Sequence, residues 1–348
     1  MKRTILIITA ALTVLLSTQV FANSAPVVSN VSASQRGDDS KLVDIYYNLA
    51  DADGDICTVW VVASGDGGTT WAIPVLTISG HVGVGITPGT NKHIVWDAGA
   101  DMPDKTRSFK ARVLADDGKS PEPMVMVGAG SFPYQNGSPV HCDAFMIDKY
   151  EVKVSLYCQF LNQDDPAGDH WHSGQEITKH GDPGSHTYTP VPGRENYPVR
   201  YVSYYDAVAF AQWRSNLEGK SYRLPTEQEW EKAAGWDPVQ QYHYTFGYHS
   251  NTASCTYMNY YNCVGRPTVV GSYDPYKSYY GCYDMSGNLW EWTSSIYSGE
   301  SRVLRGGYWY YNAAYCSVTY RGYRFTPSFR NDSIGFRLVL DLDSLRSR

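Results

Sequence analysis

The 348-residue chain carries 29 Lys+Arg against 35 Asp+Glu, and the resulting charge of −6 gives no general attraction to nucleic acid or to an anionic membrane surface. Hydrophobic residues make up 43% and charged residues only 18%, so a substantial core can form and global disorder is excluded. Tyrosine is the unusual residue: 29 Tyr stand against 31 Gly, and most of them fall between Tyr201 and Tyr323, so the bias belongs to one region.

In chain order, Lys2 and Arg3 precede the apolar run Ile5–Leu16, and Val20-Phe21-Ala22 ends with small residues at the positions a signal peptidase reads. Residues 1–22 therefore read as a secretory signal peptide, and the mature protein as secreted or periplasmic. No other stretch approaches the roughly 20 apolar residues of a spanning helix, so no membrane span is expected. Residues 23–118 read as short strands: Val43, Ile45, Tyr47 and Leu49 alternate, Cys57–Ala63 is β-branched and apolar, and Phe109, Ala111, Val113 and Ala115 alternate again. An immunoglobulin- or fibronectin-like β-sandwich is the expected fold of this part. Asp51, Asp53 and Asp55 resemble the opening of a calcium loop, but the bidentate Glu of such a loop is missing, and a solvated turn is the alternative.

Residues 119–123, with Pro121 and Pro123, predict a linker, and 124–341 a second domain followed by a tail at 342–348. In that domain Ser203-x-x-Asp206 opens a helix closed near Gly219, and Thr226-x-x-Glu229 opens a second over Gln228–Ala234, closed by Gly235. The remainder lacks helical period, which predicts a loop-dominated α+β unit. Seven cysteines in an exported chain permit disulfides. Cys255 and Cys263 are near enough to staple one loop, but spacing alone does not fix the pairing.

Met124–Phe132, Phe145–Val152, Pro198–Ala207, Tyr222–Ala234, Gly281–Trp292, Arg302–Gly307 and Ile334–Arg337 are similar, in this order, to the segments of the formylglycine-generating enzymes, the sulfatase-modifying factors. The resemblance implies a C-type-lectin-like fold behind the sandwich. It also implies a calcium site with Asp284 and Glu291 as side-chain ligands and the carbonyls of Gly287 and Leu289. The family's second calcium site would map to Asn259, but its partner segment is shortened here. The family oxidase needs two copper-binding cysteines; the second falls on Cys316, whereas the first falls on Tyr311, a phenol unsuited to Cu(I). Copper and copper-dependent sulfatase maturation are therefore not expected. His170, His172, His180 and His186 share one segment, where a surface insertion is a simpler reading than a metal site.

In the family, the stretch equivalent to Tyr308–Asp332 lines the face where a peptide sits. Tyr308, Tyr310, Tyr311, Asn312, Tyr315, Tyr320, Tyr323, Phe325, Phe329 and Asn331 are accordingly expected to contact an extracellular protein, peptide or glycan, since Tyr offers large contact area at low entropy cost. The composition also resembles retroelement-diversified proteins of this fold, with mutual packing of a Tyr-rich loop as the plainer alternative. The expected function is ligand binding, with sulfatase-maturing oxidation or a structural part in an envelope complex as alternatives.

Overall fold

The computed structural model describes residues 24–103, 108–119 and 122–342. The expected signal peptide, part of the linker and the tail beyond Leu342 lie outside the described residues. In the N-terminal unit a four-stranded antiparallel sheet runs in the order β1-β2-β6-β4: Val27–Gln35, Leu42–Ala50, Gly89–Asp97 and Ile78–Gly80. A three-stranded antiparallel sheet runs β5-β3-β7: Gly83–Ile86, Cys57–Ser64 and Lys110–Asp116. The alternation of β2 sends Val43, Ile45, Tyr47 and Leu49 inward, and they share a core with Val59, Ile94 and Trp96. β3 departs from alternation because both its faces are covered. Val59 points to that core, while Val62, with Leu114 of β7 and Trp71, packs into the core of the second unit. Arg112 of β7 stacks 4.1 Å above the Trp71 ring and donates to the Leu342 carbonyl.

The second unit is a mixture of small sheets and a few helices. One sheet orders Tyr222–Arg223 (β10), Val339–Leu340 (β15), Phe145–Asp148 (β9) and Met124–Val127 (β8). The other orders Arg324–Phe325 (β13), Ser301–Arg305 (β12), Trp290–Ser298 (β11) and Ile334–Gly335 (β14), with β11 and β14 parallel. Helix α2, Tyr204–Glu218, opens on the Ser203/Asp206 capping box and ends at Gly219 in the left-handed region. Helix α3, Glu227–Gly235, has the expected Thr226/Glu229 box, but Gly235 is its last residue and not a left-handed cap. A glycine is needed there because a Cβ would come within 2.7 Å of Val318 and 2.9 Å of the Tyr244 carbonyl. Helix α1, Val154–Asp164, was not anticipated: Lys153 at its N-cap makes no side-chain capping bond, so the usual start signal is missing.

Ladders this short satisfy few backbone groups, and buried ion pairs do the remaining work. Arg305 pairs with Glu231, and Arg214 with Asp148 at 2.8 Å. Cys255 and Cys263 form a disulfide, while Cys57, Cys142, Cys158, Cys282 and Cys316 are free and buried.

Candidate functional site

Two neighbouring features stand out on the second unit: a tight acidic turn and a face of aromatic rings. The turn runs from Asp284 to Glu291, with Asp284, Gly287 and Asn288 at φ values of 58°, 84° and 60°. Gly287 has no substitute without rearrangement, because a Cβ there would lie 2.1 Å from the Asn259 carbonyl oxygen. The Asn288 amide donates to that same oxygen at 2.9 Å, and the Gly287 amide to Gly306 at 2.8 Å.

Leaving the turn, β11 carries Glu291 inward, where it accepts from Arg337 Nε and Nη2, both at 2.7 Å, and from Trp230 Nε1 at 2.8 Å. The expected calcium ligand is thus part of an ion pair, with one lone pair of Oε1 left over. The carboxylate that sequence reasoning missed is Glu151. It is fully buried and accepts from Asn288 Nδ2 at 2.5 Å and from the Leu289 amide at 3.1 Å. Burial, reinforced by the charges of Asp284 and Glu291, pushes Glu151 well above the usual carboxylate range. Asp284, which accepts from the Gly271 amide at 2.7 Å, is pushed up to about 6, again chiefly by burial. Three carboxyl groups therefore lie near one guanidinium, which bonds only Glu291, and the protonated forms of Glu151 and Asp284 are favoured. Beside Asp284 lies a cavity of about 10 Å³, lined among others by Tyr257, Tyr273 and Tyr276. Asn259 Oδ1, next to the turn, is buried without a hydrogen-bond partner. The motif Tyr150-Glu151-Val152 carried Glu151 in plain view, but nothing local reveals that it meets a turn more than a hundred residues away.

The other acidic cluster differs. Asp51, Asp53 and Asp55 are the one trio among the described residues whose ligand atoms come within 4.8 Å of each other. Asp51 Oδ1 accepts from the amides of Asp53 and Asp55, as in a carboxylate-nucleated turn, and Lys119 lies 3.6 Å from Asp55. The four histidines of 163–190 are kept apart by their own partners: His170 meets Asp206, His172 stacks on Tyr201, His180 meets Thr189, and His186 packs on Tyr188.

The aromatic face begins after Gly306-Gly307. Tyr323 stacks on Trp290 at 4.8 Å, and Tyr320 and Tyr311 approach the same indole at 6.0 and 6.5 Å. The Tyr311 and Tyr323 hydroxyls are hydrogen-bonded to each other, Tyr315 lies 4.8 Å from Tyr311, and Phe325 stacks on Phe329 at 4.0 Å. Tyr308, Tyr311, Tyr315, Tyr320, Tyr323, Phe325 and Phe329 are consequently half-buried against the core, and only Tyr310, at 55%, and Asn312 are exposed among the ten expected contacts. Asn331 also holds a turn: its side-chain oxygen accepts from the amide and hydroxyl of Ser333 and its carbonyl from the Tyr201 amide. Cys316 is fully buried beneath Gly307, where a Cβ would sit 2.5 Å from its sulfur. Burial pushes its thiol up to about 12, far from a reactive thiolate.

Residues 110–342 match the family profile described as the sulfatase-modifying factor enzyme 1-like domain. Hercynine oxygenase of Mycolicibacterium smegmatis is 35% identical over 175 residues, which cover 44% of this chain and 39% of that protein. Formylglycine-generating enzyme of Streptomyces coelicolor is 34% identical over 184 residues, covering 44% of this chain and 55% of that enzyme. The match thus spans about half or less of the length of these curated relatives. Among solved structures, CarF superposes with a TM-score of 0.51 at 23% identity, covering 63% of this chain and 98% of its own. With two thirds of its length matched and the family's small-sheet α+β architecture in place, the chain belongs to the sulfatase-modifying factor enzyme 1-like family.

Proposed function

We propose that this chain is a binding member of its family: an exported protein in which an immunoglobulin- or fibronectin-type sandwich carries a C-type-lectin-like domain that engages an extracellular protein, peptide or glycan through the face around Tyr308–Phe329. The observation that carries this reading is the pairing at the oxidase position. Tyr311 stands where the first copper cysteine would be and is bound to Tyr323, while Cys316 is sealed in the core. One buried thiol and one phenol do not make a two-thiolate Cu(I) site. Screening the purified protein against a glycan array and a panel of extracellular proteins tests the reading. Binding that Tyr310→Ala abolishes supports it, and binding indifferent to Tyr310→Ala and Asn312→Ala rejects this face.

Calcium at the acidic turn accompanies this reading: Asp284 and Glu291, with the carbonyls of Gly287 and Leu289, would hold it. The oxygens of Glu151, Asp284 and Glu291 do not all lie within 4.8 Å of one another, so the three would have to draw together around an ion. A calcium-dependent rise in Tm that Asp284→Gly removes supports this; glycine keeps the left-handed backbone at 284.

The identity to a formylglycine-generating enzyme supports a second reading, oxidation of a sulfatase cysteine. Incubating the protein with Cu(I), oxygen and a cysteine-containing sulfatase peptide separates the two: the aldehyde mass change is expected to be absent.

A further inference from the structure

Between Val239 and Gly265 the chain carries no Asp, Glu, Lys or Arg, although charged residues make up 18% of the whole. Aromatic, amide and hydroxyl side chains dominate instead. The segment begins beside the short antiparallel pair Trp236–Asp237 and Tyr242–His243. From there a row of rings crosses the surface. Tyr242 and Tyr244 have centroids 4.9 Å apart, Tyr244 and His249 4.1 Å, and His249 and Tyr279 6.2 Å. Tyr242 and Tyr279 are 45% and 43% exposed, so both ends of the row face solvent. In contrast with Tyr311 and Tyr323, the tyrosines of this row pack into none of the hydrophobic cores.

Polar bonds hold the rings in place. Asn251 Nδ2 donates to the Tyr242 hydroxyl at 2.9 Å, and the Tyr244 hydroxyl donates to Gln240 Oε1 at 3.0 Å. His249 Nε2 meets Asp237 at 2.8 Å, and Asp237 also accepts from the amides of Val239 and Gln240. His249 stands in the left-handed region at φ 62°, a costly backbone for a residue with a Cβ. Strain and side-chain ordering at the surface build no core, but they preorganise the rings for something that lies on them. The carboxylate of the row, Asp237, is buried with both oxygens occupied, and Lys277, two residues from Tyr279, lies over the Tyr283 ring at 5.7 Å. Hydrogen-bonding capacity nonetheless remains. Among the described residues, the Gln240 amide nitrogen, the Gln241 amide oxygen and the Tyr242 hydroxyl hydrogen have no partner.

We propose that this row is a second binding site, for a neutral polysaccharide chain. Sugar rings present C–H faces that stack on aromatic rings and hydroxyls that pair with amides, and each step of the row is about the width of one pyranose. Charge decides between ligands. An anionic glycan or a nucleic acid would meet no cation along the segment, and a protein partner would find none of the charged side chains that give an interface its complementarity. The site stands apart from the Tyr308–Phe329 face and does not depend on it.

Affinity electrophoresis of the full chain, in gels containing soluble glucomannan, xyloglucan, galactomannan or heparin, tests this. At least one neutral polymer is expected to retard the protein, and heparin is not. Tyr242→Ala and Tyr279→Ala should each weaken the interaction by roughly two- to tenfold, the worth of one aromatic contact, with Tm unchanged. Tyr310→Ala should leave it as it is. Retardation by no neutral polymer overturns the site, as does retardation indifferent to both Tyr242→Ala and Tyr279→Ala, or equal or stronger retardation by heparin. If Tyr310→Ala abolishes the effect, the sugar sits on the Tyr308–Phe329 face; that reading then stands and this one falls. Should either alanine variant fail to fold, broadening of the Tyr242 and Tyr279 ring resonances of the unaltered chain by the matching oligosaccharide decides instead, and unchanged resonances overturn the site.

Discussion

The two units solve the burial problem differently. β2 and β6 meet along most of their length, and every inward side chain of β2 is apolar. In the second unit, two-residue strands such as β10, β14 and β15 leave the backbone and the loops to be held by Arg214, Arg305 and Arg337, each almost completely buried. Apolar packing distributes stability over many small contacts, whereas a buried ion concentrates it in one side chain whose loss strands an opposite charge. The N-terminal unit should therefore tolerate single changes in proportion to volume, and the C-terminal unit should fail at particular residues.

The strongest test of that contrast is Arg337→Met. It leaves Glu291 buried without its cation, and the C-terminal unit is expected to lose about 3–5 kcal/mol, seen as a fall in denaturation midpoint by tryptophan fluorescence. Ile45→Ala, in the other unit, removes fully buried methyl groups and is expected to cost about 2–5 kcal/mol. Exchange protection should then drop in β2 and β6 while the amides of β11 and β12 keep theirs; a uniform drop would mean that the units fold as one.

Acidity supplies a subtler measure. The folded chain raises Asp284 above its unfolded value, so the protonated form is the one folding favours. Its contribution is fully present below about pH 4, the ordinary carboxylate value, and is lost as pH rises through about 6. In chelator, the unaltered protein should therefore lose stability relative to Asp284→Gly across that interval, and calcium should remove the difference. Equal pH profiles for the two proteins would show that the turn carries no charge strain. The smallest effect belongs to Tyr310→Ala, whose ring is mostly in solvent: Tm should hardly move, within about 0.5 kcal/mol, even where ligand binding is lost.

What could be read from the sequence follows the range of the forces involved. The alternation at Val43–Leu49 and the boxes at Ser203 and Thr226 are local, each written within a few residues, and each appears where expected. Strand β15 and helix α1 escaped because their reasons are distant: Val339–Leu340 is a strand only through Phe145–Asp148 and Tyr222–Arg223. The family resemblance located the acidic turn but named Glu291, whose oxygens largely serve Arg337, and passed over Glu151. Tyrosine count was a guide to the face and not to its texture. Composition does not distinguish a ring stacked on Trp290, as Tyr323 is, from one displayed to solvent, as Tyr310 and Tyr261 are.

The bonds that frame the face, from Tyr261 to Tyr311, Asn262 to Trp309 and Trp309 to Asn288, all run between main-chain atoms. Side chains at positions 261 and 310 can thus be exchanged without touching the frame, while Asn288 beneath them cannot. Such a surface is well suited to rapid change, whether under natural selection or in a combinatorial library, because new specificities can be written on it while the scaffold remains the same.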